Sequence, residues 1–400
     1  MTTRARSNVG CSRGAKALAA ILHSHSHSVG TFRHGEAQVL LLVGLCLSSE
    51  LLVRFHGEFQ TAAGHDNNAG DLNFGETSTE LDSAMARARE PFTVEDGPQG
   101  RTLVVTGPWS TEAARLLSTG DVDGLHLNYE KGFSEDDLSF FAEWPLRRLQ
   151  IVDRTLVDLG PIGRFADSLE ELSVRVSPEA RLEIGGLQKL HQLSSDWRVL
   201  RPLSGRVHTL ESLVTWNFDG SDFRPLNNYS RLKNLAVREA PRLQSLRGIN
   251  VMNSLSALNL HLARQLSDIS DLAESGSTLN KLSFDFCSRI GRLDALRSLR
   301  RLRLLGVSDC KRIESLAPLG QLTQLEVLHG WGSTRIVDGN LSLLLQLPRL
   351  REVRMKSRIE YRPSVDEITT AIRRGEPVDA AGKLSGQVHE RLAHDEGISE

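Results

Sequence analysis

Side chains that could bind a metal or act as nucleophiles are sparse in this chain and gather in two places. His23, His25 and His27 alternate with serines, and His34 follows. In an extended segment the first three share one face, and imidazole suits Zn, Cu or Ni. Their spacing matches no structural zinc pattern, however. A solvated polar tract is the simpler reading, and no metal or other cofactor is expected. Cys287 and Cys310 stand at the same place in two successive copies of a repeat. They should lie on adjacent rungs about 5 Å apart, which permits a disulfide in principle; a ladder of small buried thiols is the plainer reading. There is no Gly-x-Ser-x-Gly elbow, phosphate-cradling Gly-rich loop or paired-histidine zinc helix. Enzymatic chemistry is therefore not expected.

Recognition chemistry has the better claim. Asp196, Trp216, Arg238, His261 and Asp285 follow one another at intervals of 20, 22, 23 and 24 residues. Tryptophan and arginine are the residue types that dominate binding hot spots. Such intervals matter only if a repeating backbone sets the five side chains next to one another.

The repeat is present. Leu232-Lys-Asn-Leu235-Ala-Val237, Leu255-Ser-Ala-Leu258-Asn-Leu260, Leu279-Asn-Lys-Leu282-Ser-Phe284 and Leu302-Arg-Leu-Leu305-Gly-Val307 align without gaps. Each is followed by a small residue (Ala240, Ala263, Cys287, Cys310) and by an apolar triplet at three-residue spacing, such as Leu243/Leu246/Ile249. Numbering the first leucine as position one, positions four and six fall on the same side of an extended segment. The triplet suits a tight 3₁₀-like return into the same core. Further copies begin at Val122, Leu146, Leu169, Leu190, Leu210, Leu322 and Leu350, for about ten or eleven stacked units. In this register position seven projects outward and carries the five residues named above. The copy at Leu322 places Glu326 at position five and Leu328 at position seven.

This pattern resembles the leucine-rich-repeat family, in the short-repeat type also seen in internalin-like and phosphatase-regulating proteins. The motif residues span roughly residues 100–356. The resemblance implies an α/β solenoid, a curved horseshoe with a parallel sheet on the concave face and short helices or 3₁₀ turns on the convex face. It implies protein–protein interaction and no chemistry. The asparagine frequent after the strand is replaced here by Ala or Cys, and no Leu-Pro-x-Thr-Gly sorting motif is present, which argues against a surface-anchored internalin.

The elements flanking the repeat are also legible. Thr102–Thr106 reads as a strand and Ser110–Leu117 as a helix. In Phe133–Trp144, Ser134 with Asp137 reads as a capping box opening a second short helix. Ser364 with Glu367 reads as another box, opening a helix whose Val365, Ile368 and Ile372 share a face and cover the end of the solenoid. The expected organisation is an N-terminal tail over 1–90, a cap or first unit over 91–121, the solenoid over 122–360, and a helix with a polar tail over 361–400.

In the tail, residues 1–35 carry five cationic side chains and no acidic one, which fits a transit peptide, a polar tail or an over-long start. The apolar run Val39–Leu47 is too short to span a bilayer. A cytoplasmic location is expected, with a targeting segment left open.

Formal net charge is −2, so no global field draws nucleic acid or anionic membrane, and neither is an expected partner. The expected ligand is a protein, met by a monomer through its concave sheet. The alternative is a regulatory or effector subunit that contacts nucleic acid or anionic membrane through a basic convex edge. That edge comprises Lys281, Arg289, Arg292, Arg297, Arg300, Arg301, Arg303, Lys311 and Arg312.

Overall fold

The leucines at positions one and four determine the architecture, because each repeat contributes one short strand whose inward side chains are completed only by its neighbours. The computed structural model describes residues 90–200, 209–275 and 278–374. The histidine tract, the Val39–Leu47 run and the polar C-terminal tail lie outside the described residues.

One 13-stranded sheet runs in strict chain order. It opens with β1 (Phe92–Gly97), β2 (Gly100–Val105), β3 (Gly124–Asn128), β4 (Arg148–Val152), β5 (Glu171–Arg175) and β6 (Gln192–Asp196). It continues with β7 (Ser212–Trp216), β8 (Asn234–Arg238), β9 (Ala257–His261), β10 (Lys281–Asp285) and β11 (Leu304–Ser308). Two very short strands, β12 (Arg312–Ile313) and β14 (Arg335–Ile336), pair with each other on the return side, while β13 (Val327–Gly330) and β15 (Glu352–Met355) complete the main sheet. Only the β1–β2 hairpin is antiparallel; every later pairing in the main sheet is parallel. This is a leucine-rich-repeat solenoid, with its return segments made chiefly of 3₁₀ turns.

The core is the stack of inward positions. Position four is filled by Leu235, Leu258, Leu282 and Leu305, and position six by Val237, Leu260, Phe284 and Val307, none more than 2% exposed. Cys287 and Cys310 are free and fully buried in the same stack. Two rungs depart from the apolar rule: Ser195 and Thr215 occupy position six of β6 and β7 and are also fully buried. The core there includes Trp197, Phe218 and Phe223, with the Trp197 and Phe218 rings 4.9 Å apart. Aromatics from the return segments thus supply the volume that the small polar residues give up.

At the N-terminal side, Ser110 caps the helix Thr111–Thr119 by accepting from the Ala113 N–H, and Gly120 ends it in the left-handed region. The second helix expected from Phe133–Trp144 is not formed. Asp137 Oδ1 accepts instead from the Ser139 N–H at 2.8 Å, a local turn that competes with a helical start. Phe133, Leu138, Phe141 and Trp144 are all buried in that irregular segment, and Trp109 and Phe140 join them in an aromatic cluster.

At the far end the Ser364–Glu367 box is made in both directions, Ser364 N–H to Glu367 Oε2 at 2.7 Å and Glu367 N–H to Ser364 Oγ at 3.2 Å. It opens the helix Val365–Arg374, which buries Val365, Ile368 and Ala371 against the core, with Ile372 packed beside them. An open solenoid end is thereby covered.

One copy has a different register from the expected one. Leu305 pairs with Leu328 and Gly306 with His329, so the repeat begins at Leu325, not Leu322. Leu322 lies in the return segment and is fully buried there. Position five of this copy is therefore His329 rather than Glu326. Position seven is Trp331 rather than Leu328.

Candidate functional site, the outward row of the sheet

A row of neighbouring side chains arises where position seven of one strand stands beside position seven of the next. The ladder pairs Asp196 with Trp216, Trp216 with Arg238, Arg238 with His261, His261 with Asp285, and Asp285 with Ser308. The five residues singled out by their intervals are thus brought together on successive rungs. Trp331 continues the row beyond Ser308, its carbonyl accepting from the Asp309 N–H at 3.0 Å.

The five are not equivalent. Asp196 does not project from the sheet: it is 5% exposed. Its carboxylate accepts from the Arg198 guanidinium at 2.6 and 3.0 Å, from the Arg198 N–H at 2.8 Å and from Asn217 Nδ2 at 2.6 Å. Burial opposes its ionisation, but these donors hold its pKa below the usual carboxylate value. Asp196 clamps the segment that follows two strands. Trp216, Arg238, His261 and Asp285 are partly exposed and available.

Across the Asp196 rung, the guanidinium of Arg175 lies over the Trp216 ring, 5.2 Å from its centroid. Burial, helped by Arg238, lowers the Arg175 pKa. A cation over an indole face in partly desolvated surroundings fixes the ring's orientation. On the other flank the His261 ring meets Phe286 edge to face at 5.4 Å. Burial holds His261 below the ordinary imidazole pKa, against the pull of Asp285 and Glu239. Asp285 moves the other way: burial raises its pKa, opposed by the Ser283 hydroxyl, which donates to Oδ2 at 3.1 Å, and by His261 and His329.

Immediately after the strands the backbone does something unusual for side-chain-bearing residues. Asn217, Glu239, Leu262, Phe286 and Asp309 all adopt positive φ, between 53° and 59°, and Gly332 continues the series at 69°. Each of the five donates its N–H to the position-seven carbonyl of the next rung, at 2.9 to 3.1 Å. The left-handed residue turns the chain out of the strand while keeping the ladder paired. Phe286 (42% exposed) and Trp331 (51% exposed) are the two most exposed large hydrophobics near the row.

Neither aromatic was singled out from sequence. Phe286 sits at position eight, outside the strand pattern. Trp331 was displaced by the register of its copy, although adding the 23-residue interval to Leu302 reaches Leu325 and would have found it.

The basic edge resolves into paired and unpaired parts. Arg292 bridges Asp294 at 3.0 Å and Glu314 at 3.7 Å, Arg297 bridges Asp294 at 3.2 Å, and Arg303 bridges Glu326 at 2.7 Å. Among the described residues no group of three or more His, Cys, Asp or Glu is arranged to hold a metal ion, and no helix is long and apolar enough to cross a membrane.

No family model and no curated protein matches the sequence. Among solved structures, similarity extends to an internalin of Listeria monocytogenes at 16% identity, covering 65% of this chain and 83% of that one with a TM-score of 0.46. An internalin C2 of the same species is 22% identical over 50% of this chain and 78% of its own, with a TM-score of 0.34. A leucine-rich-repeat protein of Leptospira interrogans is 15% identical over 63% of this chain and 83% of its own, with a TM-score of 0.29. With one parallel strand per repeat and position-one and position-four leucines stacked in a shared core, this chain has the leucine-rich-repeat solenoid fold.

Proposed function

We propose that this protein is a non-enzymatic interaction module that binds another protein on the outward face of its sheet, centred on Trp216, Arg238, His261 and Asp285. The supporting observation is that these four partly exposed side chains stand on consecutive rungs. Trp216 is held by Arg175 and flanked by a second cation at Arg238. Position five is small at Ala236 and Ser283 within this stretch and at Gly306 on the next rung, which leaves room for a partner's backbone or helix. Phe286 and Trp331 extend the apolar part of the surface along the strand ends. Asp196 serves this face indirectly, by holding Asn217 in its turn.

The test is an affinity comparison on a partner captured from the native host. Trp216→Ala should weaken binding by about 2 kcal/mol or more, the range of a hot-spot truncation, while the thermal midpoint changes little. Arg300→Ala with Arg301→Ala should leave that affinity unaltered. Loss of binding in the arginine pair with retention in Trp216→Ala would sink the reading.

A further inference from the structure

A second constellation lies away from this row, where the return segments feed into the last strands. Two columns meet there. The residue preceding position one is Arg301, Gln324 and Arg349 in three successive repeats, and position two is Asn280, Arg303, Glu326 and Arg351 in four. Asn280, Arg301, Arg303, Gln324 and Arg349 line a single cleft open to solvent.

Its charges are unbalanced. Glu326 is the one acidic group within these two columns. Both of its oxygens are taken, Oε1 by Arg303 Nε at 2.7 Å and Oε2 by Arg351 Nε at 3.3 Å. Arg301 and Arg349 have no acidic partner among the described residues. They sit two rungs apart, about 10 Å at the spacing of paired strands, which is within reach of two arginine side chains closing on one small ion. Gln324 stands on the rung between them and Asn280 on the rung before Arg301, and both residues are partly buried. An anion seated between the two guanidiniums is attracted by both.

We propose that this cleft is a binding site for a phosphate dianion or phosphate monoester. The charge of the ligand follows from the two unpaired guanidiniums, since a phosphomonoester carries close to two negative charges at neutral pH. Its shape follows from the donors: guanidinium forks from two directions, with the Gln324 amide between them and the Asn280 amide beside Arg301, suit a tetrahedral group with three acceptor oxygens. A carboxylate offers one charge and two oxygens, and leaves one arginine unmatched.

Calorimetric titration of the full chain with inorganic phosphate, at ionic strength held constant with sodium chloride, tests the site. Saturable one-to-one binding is expected at pH 7.5, with the dissociation constant rising at least about tenfold in Arg301→Ala or in Arg349→Ala, as for loss of one charge-assisted hydrogen bond. Lowering the pH to 5.5 should weaken phosphate, which becomes a monoanion, and should not weaken sulfate, which stays a dianion. Arg292→Ala with Arg297→Ala, which removes arginines already paired with Asp294, should change nothing. Binding that is absent, that survives the Arg301/Arg349 double substitution, or that acetate matches in affinity would overturn the proposal. Trp216→Ala should leave the phosphate titration untouched, so this site and the sheet face stand or fall separately.

Discussion

His126 occupies position five of β3 with its Nε2 buried and without a hydrogen-bond partner among the described residues. Burial, reinforced by Lys131, lowers its pKa to about 4. The unfolded chain takes up a proton near pH 6.5 that the folded chain refuses until about pH 4. Between those values the unfolded state binds more protons, so stability rises with pH and is lost as pH falls through that window. The loss is on the order of 3 kcal/mol at 1.36 kcal/mol per pKa unit. His126→Gln should flatten this part of the profile, measured as denaturant midpoints at pH 7 and pH 4.5; an unchanged slope would show that another group is responsible. The same scale explains why Asp196 and Trp216, adjacent in the row, differ. Asp196 has Arg198 two residues on and Asn217 one rung on, and both close over its carboxylate. Trp216 has the Arg175 guanidinium over its ring and stays partly exposed.

At the level of the element, the junction after each strand is set by backbone conformation more than by side-chain identity. Asn, Glu, Leu, Phe and Asp all occupy the left-handed position. That conformation is uncommon outside glycine and costs on the order of 1 kcal/mol or more, sustained by the surrounding structure. The surrounding structure here is the regular N–H to position-seven carbonyl bond. Glu239 is exposed, and the hydrogen bond it makes there is through its backbone. Glu239→Gly should therefore leave the fold intact and raise stability by up to about 1 kcal/mol, through relief of the positive φ. A thermal midpoint lowered by several degrees would mean that the Glu239 side chain contributes something its exposure does not reveal. Gly332 is the exception that only glycine fits, since a Cβ there would fall onto the Asp309 carboxylate.

Across the whole molecule each repeat is stabilised by its neighbours, so damage at an end should spread inward from that end. The helix Val365–Arg374 covers the last rungs through Val365, Ile368 and Ala371. Ile368 is fully buried, and Ile368→Asp places an unpaired charge against the terminal core. Amide exchange should then accelerate in β13 and β15 and remain slow in β4 and β5. Uniform acceleration along the sheet would show that the solenoid opens as one unit rather than from its end.

By itself the sequence determined the repeat, the inward leucines, the outward row apart from Asp196 and Trp331, and both flanking helices that obey simple caps, because strand alternation and capping are local rules. Its LxxLxL frame fits better at Leu322, with Val327 at position six, than at Leu325, where position six is Gly330. Residues of both candidate frames are buried, since strand and return face one core. Only the inter-strand hydrogen bonds, which pair Leu305 with Leu328, settle the register and bring Trp331 into the row. The same holds for the aromatic segment after β3, where tertiary burial of Phe133, Phe141 and Trp144 outweighs a local helix signal. It holds as well for the arginine cleft, whose members are 2 to 69 residues apart in the chain and meet because successive rungs stack about 5 Å apart.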